Sequence, residues 1–529
     1  MAALILIMAF FAGLAFRTLG LPPLLGYLVA GFVCSALSIG SFDQLEVVAE
    51  LGVTMLLFTI GLKLRTGVLL KPYIGGPALL HMVVVIPLTT AVIMLAGNFY
   101  SPLSFDSVIA PWTLAFALSF SSTVFAIKIF DERGENNSFH AGIAIGILVI
   151  QDVLAVVFLV LSAGKIPSVW ALLLLLLPFT RRFWAPPISR FMRIIGHGEL
   201  HLLFGLAVAL AAYELLELMH LKGGLGALIA GVILGVANEP RATELHNRLS
   251  SLKNLFLIGF FLQIGYYGFP SLSMLVIAAA LVLLLALRPV IYFSLLTLLG
   301  LRARTSTLAG IGLSTYSEFG LIVPAIAASQ GIISTEWVVT IALAVAISFF
   351  IATPLNKAIH PLYRRFSPRL NKYEKERLPE EKIESLGDAD IVVLGMGRVG
   401  RGAYDFLRNE YGNRVVGVEE RYDRAVELRA EVINCVHGDA LDRDFWEQTN
   451  VAGRSMILAS LSNQRENLAL VALAKELGFI GTLSVTARYR DEARKLEELG
   501  CVAFNVYADV GRGFAEHAVD SLHDQNKEI

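Results

Sequence analysis

Charge is what this sequence has least of. Asp, Glu, Lys and Arg make up 16% of its 529 residues, against about 25% in an ordinary soluble domain. A chain this poor in charge cannot cover its own surface with it, which excludes a secreted enzyme, a DNA-binding protein and a disordered scaffold. Cysteine is nearly absent as well. Cys34, Cys435 and Cys501 are the three present, and their spacing suits neither zinc nor a disulfide framework. They read as small buried hydrophobes, and the two late ones fit a reducing compartment. A cleavable leader is not evident, because the apolar run from Met1 to about Leu19 lacks a basic start and leads into another apolar run. That run reads as a first span.

Apolar sequence is what the chain has in excess: 56% of residues by the wide count, with a mean hydropathy of +0.66. The formal net charge of −1 hides a segregation, since most charge lies after Lys357. Counting stretches of ~20 predominantly apolar residues gives about thirteen spans. They lie near 1–19, 21–39, 47–63, 73–97, 108–130, 140–163, 168–190, 200–220, 223–238, 250–268, 270–299, 305–330 and 335–359. With the N-terminus outside, the inner loops carry about eighteen Lys and Arg against only Lys165 and Lys222 outside, a strong positive-inside bias. An odd number of spans then places the C-terminal part in the cytoplasm. The expected division is a transmembrane domain over 1–360, a charged linker over 361–388 and a soluble domain over 389–529.

Ionisable groups inside a span are costly and mark function by default. Asp152, beside Gln151 in Ile147-Leu-Val-Ile-Gln-Asp152, sits about halfway along its stretch, near the bilayer centre. A carboxylate there can hold a proton or a dehydrated cation, but not both at once, and that competition is sufficient for exchange. Two other stretches carry hydroxyl clusters at similar depth: Leu118-Ser-Phe-Ser121-Ser122-Thr123, and Leu313-Ser-Thr-Tyr-Ser317-Glu318-Phe-Gly320. Hydroxyls and a nearby Gly can satisfy an interrupted helix and free carbonyls for a cation. Interrupted helices in corresponding positions of two halves point to a transport site at the midplane. Arg288, before Pro289, is expected to pair internally with Glu318 or Asp152. Glu214 is a weaker candidate, and His81 reads as a packing residue.

In the tail, the apolar strand Ile391-Val-Val-Leu runs into Gly395-Met-Gly397-Arg398-Val399-Gly400, followed by a helical pattern from about Val399 to Glu410. A second strand over Arg414–Glu419 ends in an acid nineteen residues after Gly400. Strand, glycines, helix, second strand and acid together form a dinucleotide-binding arrangement. The glycines admit phosphate to a helix N-terminus, and Glu419 can hold ribose hydroxyls. Further strands are expected to start near Val432, Ser455 and Leu483. Asp439, closing the third, is a candidate contact to base or ribose. The tail has room for one dinucleotide domain but no substrate domain, which argues against an anchored dehydrogenase and for a chain that is not an enzyme. A ligand-gated cation channel lacks its Thr-Val-Gly-Tyr-Gly filter.

Taken together, these residues resemble the Kef branch of bacterial monovalent cation:proton antiporters. Leu24–Gly31, Ala49–Leu62, Ser121-Ser122-Thr123, Gln151-Asp152, Phe260–Tyr266 and Ser317-Glu318-Phe319 carry the similarity, which extends over nearly the whole chain. The resemblance implies a thirteen-helix, inverted-repeat transporter with crossed discontinuous helices and with dimerisation and core subdomains. It further implies a Rossmann-like (RCK or TrkA-N type) regulatory domain, a homodimer and an inner-membrane location. Asp152 would bind cation and proton alternately, with potassium as the expected ion and sodium as the alternative. Gly395, Gly397, Arg398, Val399, Gly400, Glu419 and Asp439 would bind an adenine nucleotide, AMP or NAD(H). Glutathione-gated members carry an acidic loop where this chain has the basic stretch His246–Lys253. Arg488 and His246 match regulatory positions, but the lost acidic loop argues against glutathione gating.

Overall fold

A computed structural model describes residues 2–41, 44–63, 71–98, 105–135, 138–161, 181–196, 198–218, 223–317, 319–461 and 464–525. Two compact units emerge. The first comprises 1–126, 143–298 and 306–372; the second comprises 127–142, 299–305 and 373–529.

The described part of the first unit is helical. Its helices are α1 (Ala2–Thr18), α2 (Pro23–Ala36), α3 (Leu45–Lys63), α4 (Pro72–Gly97), α5 (Ile109–Ser119), α6 (Thr123–Arg133), α7 (Phe139–Leu161), α8 (Arg181–Ile195), α9 (Glu199–Leu218), α10 (Gly223–Ala237), α11 (Glu239–Gly265), α12 (Leu272–Leu284), α13 (Leu287–Leu298), α14 (Ala303–Gly312), α15 (Phe319–Ser329), α16 (Thr335–Lys357) and α17 (Ile359–Leu370). The ends of α6, α7 and α14 run into the second unit. Among the described residues, six helical stretches are long and apolar enough to cross a membrane: 45–62, 72–97, 109–133, 199–218, 272–298 and 335–357. Large apolar side chains such as Val83, Leu218, Leu272 and Leu283 stand more than half exposed on them. That is the pattern of a helical bundle whose solvent is lipid, where packing rather than the hydrophobic effect joins the helices. Accordingly α3 and α10 meet at glycines: a Cβ on Gly231 would lie 2.3 Å from the Phe58 carbonyl oxygen.

Several boundaries differ from the sequence reading. The stretch 270–299 is two helices, because Leu285 and Ala286 form a turn and Arg288 N–H bonds back to the Leu285 carbonyl at 3.1 Å. Pro289, which has no N–H to give, is tolerated in the first turn of α13. The basic stretch His246–Lys253 is not a loop but the middle of the 27-residue α11. Asn238 caps that helix by accepting from Arg241 N–H, and Pro240 occupies its first turn. The charged segment expected as linker is helical through Leu370, on α17.

The second unit is built on a six-stranded, all-parallel sheet: β1 (Ile391–Leu394), β2 (Val415–Glu419), β3 (Cys435–His437), β4 (Met456–Ala459), β5 (Thr482–Ala487) and β6 (Val502–Asn505). The order is β3-β2-β1-β4-β5-β6, the doubly wound order whose ligand crevice opens where β1 and β4 diverge. Around it lie α18 (Arg398–Tyr411), α19 (Tyr422–Ala430), α20 (Arg443–Thr449), α21 (Gln464–Glu476), α22 (Arg490–Glu498) and α23 (Val506–Gln525). Strand alternation builds two cores. Val392 and Leu394 face Phe445, Trp446 and Leu470, whereas Ile391 and Val393 face Tyr404, Leu407 and Leu428. The third strand begins at Cys435 rather than Val432, which sits at φ +64° in the preceding turn. A sixth strand, Val502–Asn505, was not anticipated; it is an edge strand with only partial burial and so shows no clear apolar run.

Candidate functional sites

In the first unit the hydroxyl cluster at 119–123 interrupts a helix. The chain leaves α5 at Phe120 with extended backbone (φ −76°, ψ 146°) and re-enters helix at Thr123. A second interruption separates α14 from α15 between Gly312 and Phe319. Glu318 lies outside the described residues.

Asp152 stands on α7 and is only 3% exposed. The Thr123 hydroxyl donates to its Oδ2 at 3.1 Å, at the N-terminal, electropositive end of α6. Gln151, fully buried, is fixed on both sides of its amide. Its Oε1 accepts from Ser121 N–H at 3.0 Å, and its Nε2 donates to the Tyr292 hydroxyl at 2.8 Å. His81 stacks on Tyr292 with ring centroids 4.2 Å apart. Ser122 accepts from Phe125 N–H at 3.2 Å and caps α6. Thus Ser121, Ser122, Thr123, Gln151 and Asp152 come together around the first interruption. Glu214 is exposed on α9.

Arg288 is buried between the two interruptions. Its guanidinium donates to the carbonyls of Phe120 (3.1 Å) and Thr315 (2.9 Å), to the Ser121 hydroxyl (3.1 Å) and to the Leu118 carbonyl. It also lies over the Tyr316 ring, 5.0 Å from the centroid. Among the described residues its acceptors are carbonyls released by both interruptions, following the C-terminal ends of α5 and α14, and one hydroxyl; of the two acids expected to pair with it, Glu318 lies outside the described residues. A cation there complements the negative ends of two helix dipoles, and five fixed donors suit several acceptors at once. The signal was available in principle, because two broken helices must leave carbonyls that need donors.

In the second unit, Gly395 sits at φ +86°, which favours glycine, at the tight turn out of β1. Gly397 is the N-cap of α18. A Cβ on Gly400 would fall 1.9 Å from the Gly395 carbonyl oxygen, so only glycine lets α18 start this close to the turn. Beside the turn is a cavity of about 360 Å³, lined by Gly395, Gly397, Glu419, Glu420, Arg421, Asp439, Ser460 and Glu466 together with Gly134 and Ser138. Glu419 ends β2 and accepts from Arg421 N–H at 3.1 Å. Asp439 accepts from Leu441 N–H at 2.7 Å. Burial, with Asp439, Glu466 and Glu419 nearby, holds the Glu420 carboxyl well above the usual carboxylate range. Sequence reasoning missed Glu420 and Glu466, which only the fold brings to the same crevice.

Arg398 and Val399 do not line that cavity but a neighbouring one of about 410 Å³, with Arg488, Asn467, Thr486 and Tyr507. Arg488 is exposed, and its N–H donates to Glu492 at 2.8 Å. His246 is buried on α11, with Nδ1 3.1 Å from the Thr59 carbonyl oxygen and Nε2 3.3 Å from the Ser250 hydroxyl. It thus bridges α3 and α11.

Residues 5–359 match the family model for the transmembrane sodium/hydrogen exchanger, and 391–506 match that for the TrkA-N domain. The chain therefore belongs to the sodium/hydrogen exchanger family, a family of transport proteins rather than enzymes, and carries a C-terminal Rossmann-like TrkA-N domain of the nucleotide-binding type. It is a multi-pass membrane protein. Among solved structures, the TrkA-N domain of an inner membrane protein from Escherichia coli is 21% identical over 24% of this chain and 95% of its own, with a TM-score of 0.22. The NAD(P)-binding domain of an exopolyphosphatase-related protein from Archaeoglobus fulgidus is 20% identical over 25% of this chain and 98% of its own, with a TM-score of 0.23. A sodium proton antiporter from Methanocaldococcus jannaschii is 14% identical over 70% of this chain and 96% of its own, with a TM-score of 0.47.

Proposed function

We infer that the protein exchanges a monovalent cation for protons at Asp152 and that a nucleotide bound beside Gly395–Gly400 regulates the exchange. The observation that carries this reading is the seating of Asp152: a buried carboxylate hydrogen-bonded by Thr123 where an interrupted helix restarts, in a chain of the exchanger family. Proton and cation compete for one carboxylate, and alternating movement of the interrupted helices past a scaffold exposes it to either side. Gln151 orients the site but cannot carry a second negative charge, which favours one-for-one exchange.

Membership of the sodium/hydrogen exchanger family supports sodium as the ion, ahead of the potassium expected from the Kef resemblance. Potassium remains the second reading, supported by the Gln151-Asp152 pair on which that resemblance rests. A thirteen-span inverted repeat, a homodimer, a bacterial inner-membrane location and the division at 360 and 388 belong to the same proposal. For the tail, the ligand is an adenine nucleotide, AMP or NAD(H), with phosphate at the start of α18 and ribose at Glu419 and Asp439.

The test is proton flux in proteoliposomes carrying an internal pH dye, with sodium or potassium added in the presence and absence of AMP or NADH. Wild-type protein should move protons when one cation is added, and Asp152→Asn should not. Exchange by Asp152→Asn at the wild-type rate would refute the assignment of the site.

A further inference from the structure

The second unit contains the inner ends of both interrupted helices. Residues 127–142, which end α6 and begin α7, and residues 299–305, which begin α14, belong to it rather than to the first unit. Each end is held by charge. At the end of α6, Arg465 donates to the Asp131 carbonyl at 2.8 Å and to its carboxylate at 2.6 Å. Gly134 packs so closely on the start of α21 that a Cβ would lie 3.1 Å from the Glu466 nitrogen. At the start of α14, Arg302 binds Asp442 at 2.6 Å and Asp444 at 2.5 Å. Arg304 reaches Asp442 at 3.3 Å and Asp439 at 3.9 Å, and Ala303 N–H donates to Glu374 at 2.8 Å.

These two clasps border the cavity beside Gly395. Asp439 and Glu466 line it, and so do Gly134 and Ser138 from the segment that follows α6. A ligand that fills the cavity therefore touches Asp439, which pairs with Arg304, and Glu466, the chain neighbour of Arg465. Helix α6 is continuous from Thr123, which donates to Asp152, to Arg133, next to the clasp. Helix α14 runs from the arginine clasp to the interruption whose Thr315 carbonyl Arg288 holds. An α-helix is stiff over three turns, so a displacement at one end reaches the other.

We propose that the Asp131–Arg465 and Arg302/Arg304–Asp442 clasps restrain the inner ends of both interrupted helices and that a nucleoside phosphate in the cavity they border sets that restraint. The proposal deepens the nucleotide reading above and rests on it for the identity of the ligand, but the clasps themselves do not. A ligand acts by differential affinity for the clasped and released states. Its ribose hydroxyls bring new donors to Asp439 and Glu466, the carboxylates that border the clasps.

The test uses the full chain in proteoliposomes, because Asp131 and Arg465 are more than half exposed and their exchange leaves the core intact. The variants are Asp131→Arg and the double swap Asp131→Arg with Arg465→Asp. Binding of AMP, ADP and NADH is measured by calorimetry and proton flux by internal dye. The expected result is that Asp131→Arg binds nucleotide within threefold of wild type, loses at least two-thirds of the change in flux that nucleotide causes, and raises nucleotide-free flux at least threefold. The double swap restores both quantities. If Asp131→Arg keeps both the basal flux and the nucleotide response of wild type, the proposal is overturned. If wild type binds none of the three nucleotides, the nucleotide reading fails separately. The clasp is then upheld by a basal flux that rises in the single variant and returns in the double, and overturned by one that does not.

Discussion

Buried arginine is answered in two different ways in this molecule. In the first unit, Arg288 is satisfied by backbone carbonyls and a hydroxyl. In the second, Arg302 and Arg304 are satisfied by carboxylates. The difference follows from what surrounds each. Inside a span a second charge is expensive, and the interruptions already offer carbonyls without helical partners. In the second unit the carboxylates cluster beside the sheet, and burial raises the need for a counter-charge. Burial alone would push the Asp442 carboxyl up, yet Arg304 and Arg302 outweigh it and hold it below its ordinary range. Fixed dipoles cannot titrate or leave, so Arg288 pins geometry. Carboxylates can exchange one donor for another, so Arg302 and Arg304 sit in a cluster that can be rearranged.

The sharpest way to break this comparison is to remove Arg288. Arg288→Met strands carbonyls at both interruptions, each costing about 1–3 kcal/mol when buried without a donor. The expected loss is about 5 kcal/mol, read as a fall in the unfolding temperature of the detergent-solubilised protein. Arg288→Lys should recover only part of it, since a point ammonium cannot reproduce the guanidinium fork.

Next in size is Asp442→Asn, which leaves two buried arginines short of a counter-charge and should cost about 3–5 kcal/mol. Here a compensated replacement exists. Converting Arg302, Arg304 and Asp442 together to apolar residues should recover most of that loss, because a buried ion cluster is often no better than hydrophobic packing. No such rescue is expected for Arg288, whose partners are backbone. Equal rescue at both places, scored by unfolding temperature, would erase the distinction.

A pH effect comes third. Burial pushes the Glu381 carboxyl up to about 7, against the opposing pull of Arg302. The folded protein then binds this proton more tightly than the unfolded chain does. Stability should therefore fall as pH rises from about 4.5 to about 7 and level off above. A shift of that size corresponds to roughly 3 kcal/mol. Glu381→Gln should flatten this part of the stability–pH curve, and an unchanged slope would mean that the carboxyl titrates normally.

Much of this architecture was legible in the sequence. The tail's glycine turn, first two strands and acid could be read because Gly395 and Gly400 are demanded by local backbone geometry. Gln151, Asp152 and the hydroxyl run at 119–123 stood out because polar groups are rare in apolar stretches. What escaped is non-local. The carbonyl partners of Arg288 were not legible, because the sequence shows side chains and not the carbonyls that a broken helix releases. The clasp residues Arg302 and Arg304 resembled ordinary loop charges of the positive-inside pattern, and Asp131 and Arg465 carried no signal of their own. Glu420 and Glu466 are brought together only by the crossing of the sheet. The continuous α11 was missed because a basic, polar middle interrupts hydropathy without interrupting helix.

The smallest expected effect sharpens the comparison most. Asp131 and Arg465 are 58% and 56% exposed at the side chain, so their ion pair is screened by solvent and salt. Asp131→Asn should change stability by less than about 1 kcal/mol, within the scatter of an unfolding curve. If the clasp works as a coupling device, the same substitution should nevertheless alter the flux response to nucleotide, because coupling free energies of about 1–3 kcal/mol already change an equilibrium 5- to 150-fold. Raising the salt concentration should mimic Asp131→Asn in the wild type and have little further effect in the variant. The buried arginine cluster at Asp442 should hardly respond to salt. A variant that is stable but deaf to nucleotide would separate the ties that hold this fold together from those that let one part of it govern another.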